Sequence, residues 1–62
     1  MDLAHFIGTS IKTHRKAEKL TQQQLAQKIG RTESSIRKYE GGLTQIPLDV
    51  IEAIAEALNT TA

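Results

Sequence analysis

Between Thr21 and Gly42 the chain starts and stops twice, as Thr-Gln-Gln-Gln…Gly30 and then Thr32…Gly41-Gly42. That punctuation confines what the segment can become. A threonine hydroxyl accepts a hydrogen bond from an otherwise unpaired N–H of a first helical turn. Gln24, three residues after Thr21, can reach back to the Thr21 N–H and complete a capping box, with Leu20 and Leu25 placed as a hydrophobic staple around it. Gly30 takes positive φ without strain and so closes the helix. The spacing predicts helices over 22–29 and 33–40. Leu25, Ala26, Ile29 and Ile36 are their inward positions, and small Ala26 permits close approach. Two short helices joined by a tight turn containing glycine make a helix-turn-helix.

The flanks read as helices too. Leu3, Phe6, Ile7 and Ile11 recur at helical spacing behind Asp2, a good cap, and predict a helix over about 2–18. Lys12, Arg15, Lys16 and Lys19 crowd toward its C-terminal half, where cations suit the helix dipole. Leu43–Ile46 reads as a loop whose two apolar residues are expected to pack under the next helix, with a dimer contact as the alternative. Pro47 suits a first helical position, and Ile51, Ile54, Ala55 and Leu58 repeat behind it, predicting a helix over 47–58 with Asn59 as its stop. No stretch sustains period-2 alternation. The expected fold is all-α: four helices in a single domain over residues 1–62, with a fifth helix absent or outside the chain.

Composition narrows the chemistry. Sixty-two residues allow one domain at most. There is no cysteine, hence neither a disulfide framework nor a thiolate metal site. No apolar run approaches the roughly 18 residues of a membrane helix. His5 and His14 are not at metal-binding spacing, no nucleophile–base constellation is present, and the four glycines read as helix breaks or a spacer. No catalysis, metal or cofactor is expected. Net charge is only +1, but all eight basic residues fall between Lys12 and Lys38, offset there by Glu18 and Glu33 alone. The acidic Glu40, Asp49, Glu52 and Glu56 follow. Such polarity points to one side facing a polyanion, or else to ordinary solvated helix faces.

At about 100° per residue, Glu33, Arg37, Ser34 and Lys38 share an arc of roughly 140° on the third helix, while Ile36 and Tyr39 lie on the other side. The outer arc offers charges and hydrogen-bonding groups and nothing to bury. An α-helix fits the major groove of B-DNA, where base edges present distinguishable donors and acceptors. The plainer alternative is an exposed helix of an ordinary bundle.

Taken together, "LTQQQLAQKIGRTESSIRKYEGG" and the following "IPLDVIEAIAEALN" resemble the Cro and lambda-repressor-like helix-turn-helix domains over nearly the whole chain. Gln22, Leu25, Ala26, Gly30, Ile36, Glu40 and Gly42 carry the likeness. The resemblance implies base reading by Glu33, Ser34 and Lys38, with Arg37 between them reaching a base or a phosphate. It implies backbone contact from Gln22, which can also brace a base-reading residue, and from Gln23, Lys19, Arg31, Thr44 and Gln45. It implies a structural pair, Arg15 with Glu40. Tyr39 is expected to pack, and His14 either to touch DNA or to pack beside Ile11. Two departures stand out: Glu33 puts a carboxylate at a leading base position, and the loop Leu43–Ile46 has no cation. Glu33 either accepts from cytosine, rejects wrong sequences, is held by Arg37, or merely caps its helix.

The function implied is site-specific binding of double-stranded DNA by a cytoplasmic transcriptional regulator of bacterial or phage type, a repressor, acting as two copies on a two-fold symmetric operator. Domains of this kind usually continue with another helix and often with a dimerisation or sensor domain. Two alternatives stay open: a DNA-silent interaction adaptor using Leu43, Ile46 and the acidic fourth helix, and an antitoxin that binds both DNA and a toxin.

Overall fold

The computed structural model describes residues 2–58 and, among them, four helices: α1 Leu3–Ala17, α2 Gln22–Ile29, α3 Glu33–Glu40 and α4 Leu48–Leu58. No strand occurs among the described residues. The predicted stop at Asn59 lies outside them. α1 and α4 each begin one residue later than the spacing predicts, because Asp2 and Pro47 act from just outside their helices. The Asp2 carboxylate accepts from the His5 N–H at 2.8 Å, and the Pro47 carbonyl accepts from Val50 and Ile51 at 3.0 Å each. The capping box of α2 is complete, with Thr21 Oγ1 accepting from the Gln24 N–H at 3.0 Å and Gln24 Oε1 accepting from the Thr21 N–H at 2.8 Å.

Eight-residue helices such as α2 and α3 cannot hold themselves in water; nucleation costs more than two turns of hydrogen bonds return. Packing stabilises them instead. Leu25 and Ile36 are fully buried, with Ala26, Ile11, Val50 and Ile54 around them, and Ile29, Tyr39 and Ile46 line the edge of this core. α3 lies between α1 and α2, and α4 closes the other side of α2. Val50 is among the most buried side chains, whereas Ala55, read as part of the apolar repeat, faces solvent.

The apolar letters of α1 are a poor guide to its buried face. Leu3 and Phe6 are 71% and 60% exposed. The buried line of this helix is Gly8, Ile11 and Arg15, a glycine and a cation flanking one isoleucine. Leu3 and Phe6 lie roughly 110–170° around the axis from that line. Gly8 is therefore no helix break: a Cβ built there would sit 2.1 Å from the Tyr39 carbonyl oxygen and 3.0 Å from that of Glu40. The missing side chain lets the backbone of α1 rest against the C-terminal end of α3. Leu43 is also corrected. It is 76% exposed, so of the two loop residues only Ile46 packs against the core.

Three of the chain's turns share one closing pattern. After α1, α2 and α3 a residue with positive φ is followed by an N–H that bonds five residues back: Leu20 to Arg15, Arg31 to Ala26, and Leu43 to Lys38, at 3.1, 2.9 and 3.0 Å. This is the geometry of a Schellman turn. Gly30 and Gly42 occupy the left-handed position in two of them, and Lys19, at φ 60°, occupies it in the first.

Candidate nucleic-acid interface

The α2–turn–α3 unit is fixed from behind by a buried polar cluster. Arg15 Nε donates to Glu40 Oε2 at 2.6 Å and Nη2 donates to Oε1 at 3.1 Å, a two-pronged pair whose side chains are 9% and 3% exposed. Arg15 Nη1 donates to the Leu20 carbonyl at 2.7 Å. Gln22 Nε2 donates to Glu40 Oε1 at 3.1 Å. One carboxylate at the end of α3 thus ties together the last turn of α1, the turn before α2 and the first residue of α2. A paired charge costs far less to bury than a lone one, and no buried polar side-chain atom among the described residues lacks a partner.

Gln22 is held by this cluster: one of its two amide N–H groups donates to Glu40, which leaves the second N–H as a donor for an anion. The free main-chain N–H groups of the first turn of α2 lie beside it, where the helix dipole also favours an anion.

That outer arc is assembled as one exposed surface. Glu33, Ser34, Arg37 and Lys38 are all solvent-facing. Arg37 Nη2 stands 3.8 Å from Glu33 Oε2, one turn along the helix, with side chains 62% and 48% exposed. Among the described residues the Ser34 and Lys38 side chains make no hydrogen bond or ion pair. The start of α3 is capped without Glu33: Thr32 Oγ1 accepts from the Ser35 N–H at 3.1 Å and donates to Ser35 Oγ at 3.0 Å. Tyr39 is half-buried against the core.

The surrounding candidates are spread more widely. Lys19 and Gln23 are exposed on either side of the α2 cap. Arg31, in the turn between α2 and α3, reaches Asp49 of α4 with Nη2 to Oδ2 at 3.4 Å, an exposed pair that the sequence reading did not anticipate. Thr44 and Gln45 are exposed in the loop before α4, beside an open apolar hollow bordered by Leu3, Ile7, Leu43 and Ile51. His14 turns back on its own helix, its Nδ1–H donating to the Ser10 carbonyl at 2.8 Å. Among the described residues no three His, Asp or Glu side chains gather in a way that could hold a metal ion, and no helix is long and apolar enough to cross a membrane.

Sequence comparison places this geometry among known proteins. The chain is 33% identical over 55 residues to the antitoxin PezA of Streptococcus pneumoniae, a match covering 89% of this chain and 35% of that protein. It is 41% identical over 54 residues to HTH-type transcriptional regulators of Rickettsia conorii and Rickettsia prowazekii, covering 87% of this chain and 43% and 42% of theirs. The chain therefore spans well under half the length of these curated relatives. No solved structure gives a significant match. The model of the helix-turn-helix family matches residues 11–62, from the buried stripe of α1 through the whole two-helix unit and beyond, so the chain belongs to the Cro and lambda-repressor-like helix-turn-helix family.

Proposed function

We propose that the chain is the site-specific DNA-binding part of a transcriptional regulator, a repressor, that inserts α3 into the major groove. One observation carries this reading: α3 is clamped from behind through Glu40 while its outer arc, Glu33, Ser34, Arg37 and Lys38, is left without any role in the core. A rigidly held helix with an unspent polar face is what base reading requires, since base contacts specify only when backbone contacts hold the register. Gln22, Gln23, Lys19, Arg31, Thr44 and Gln45, with the main-chain N–H groups at the start of α2, supply that grip. Two copies bind a two-fold symmetric operator with half-sites about 10–10.5 base pairs apart, because one short helix reads too few bases alone.

The test is selection from a randomised double-stranded DNA pool, followed by anisotropy titrations of the selected site at 50 and 200 mM salt. The expected result is an enriched, roughly palindromic site whose affinity falls steeply with salt. Failure to enrich any sequence, with no salt-dependent binding, would favour the DNA-silent adaptor. A second reading is favoured by the antitoxin relative and by exposed Leu3, Phe6 and Leu43: the same DNA-binding part working within an antitoxin. Copurification of a stoichiometric protein partner with the intact protein is its test.

A further inference from the structure

The Glu33–Arg37 pair has a more specific use than support of its helix. An exposed pair at i, i+4 stabilises a helix only slightly, and Thr32 already caps the helix start. Yet both residues stand on the outer arc of α3, with Glu33 in its first turn, the end of a recognition helix that meets base edges. Helical side chains lean toward the N-terminus, so the Arg37 guanidinium is carried over Glu33, consistent with the 3.8 Å separation of Nη2 and Oε2.

We propose that Glu33 and Arg37 together read a single G·C base pair in each half-site. This rests on the DNA-binding reading above and assigns the ligand of one part of that surface. The chemistry is one of matching order. Across the major groove a G·C pair shows two acceptors, guanine N7 and O6, and then one donor, cytosine N4–H. Arg37 offers two donors in a fixed fork, and Glu33 offers an acceptor beside it. Guanine O6 and cytosine N4 are hydrogen-bonded to each other, hence about 2.9 Å apart. A donor and an acceptor held 3.8 Å apart on one helix face can therefore meet these neighbouring atoms without parting.

An A·T pair presents acceptor, donor, acceptor instead. Its thymine O4 and methyl would face the carboxylate or the guanidinium in the wrong order, leaving a charged group desolvated and unpaired. The pair also explains how a carboxylate is tolerated on a DNA-facing arc. Arg37 neutralises it as it approaches the phosphates, so the two residues bring no net charge and act through pattern alone.

The experiment is the selection described above, run in parallel on the wild type, Glu33→Gln and Arg37→Met. Both changes fall on exposed side chains, and circular dichroism verifies that the helices persist. The proposal expects one strongly enriched G·C position per half-site in the wild type and loss of preference at that same position in both variants. Replacing the guanine of that pair by 7-deazaguanine should weaken wild-type binding about 5- to 100-fold and leave Arg37→Met almost unaffected. Variants that relax two different base pairs would overturn it, as would variants that leave every position unchanged. If the wild type enriches no sequence, the DNA-binding reading falls first and this assignment with it. A wild type that enriches a site without such a G·C position overturns the assignment alone.

Discussion

Removing one partner of the Arg15–Glu40 pair is predicted to cost a large share of the domain's stability. Arg15→Met keeps much of the aliphatic stem and deletes the guanidinium. The Glu40 carboxylate, 3% exposed, then keeps only the Gln22 amide. Stranding one charge of a buried pair costs about 3–5 kcal/mol. A chain of this size has about 3–9 kcal/mol in all, so Arg15→Met is expected to lose at least about a third of its stability, and at the low end of that range to unfold at 25 °C in plain buffer. Glu40→Gln keeps shape and an acceptor, and leaves Arg15 bonded to the Leu20 carbonyl. Its cost should be about 1.5–3 kcal/mol, the worth of a charge-assisted hydrogen bond. The double variant removes both charges and should cost about 1–3 kcal/mol less than the sum of the singles. The assay is urea unfolding followed by far-UV circular dichroism on all four proteins in the same sulfate buffer, because sulfate strengthens burial and keeps the weakest variant folded. Additivity within about 0.5 kcal/mol would refute the reasoning. The two groups would then act independently, and the clamp behind α3 would have to be sought elsewhere.

Three further outcomes follow from particular residues. Gly8→Ala should destabilise by about 1–3 kcal/mol despite alanine's better helix propensity, since its methyl meets the Tyr39 carbonyl at 2.1 Å; an unchanged urea midpoint would deny the close approach of α1 and α3. Lys19→Gly should raise stability by about 0.5–1 kcal/mol, because lysine is strained at φ 60° and glycine is not; on DNA the same variant should lower the salt slope by about one, and a melting temperature that fell would contradict the strain. Lys38→Ala should leave the urea midpoint within about 0.5 kcal/mol and cost about 1–3 kcal/mol on the preferred site while relaxing one base pair, a result read by titrating a panel of single-base operator variants.

The two-helix unit was legible because its signals are local. Thr21, Gln24 and Gly30 act within one turn of themselves, and α2 and α3 occupy the residues that those caps delimit. What stayed hidden depends on partners far along the chain. Gly8 carries no local sign that its missing side chain receives the Tyr39 carbonyl. The exposure of Leu3 and Phe6 follows from a buried stripe that includes a cation, and hydrophobic periodicity cannot represent a buried arginine. The bond from Gln22 to Glu40 was hidden because the two lie eighteen residues apart. The outer arc of α3 was readable as a surface, since Glu33, Ser34, Arg37 and Lys38 fall together on any helical wheel; the 3.8 Å closeness of Glu33 and Arg37 needed coordinates.

The division of α3 into an anchored side and an unspent side bears on how such a chain could change over evolutionary time. Ile36, Tyr39 and Glu40 answer to the core and the clamp, so most replacements there would push a small domain toward its stability threshold. Glu33, Ser34, Arg37 and Lys38 carry no such duty. Substitutions among them should be close to neutral for folding and nearly additive with changes in the core. Mutations at those four positions can therefore accumulate by drift in duplicated copies, letting the copies diverge in what they bind while the scaffold beneath them stays under unchanged purifying selection.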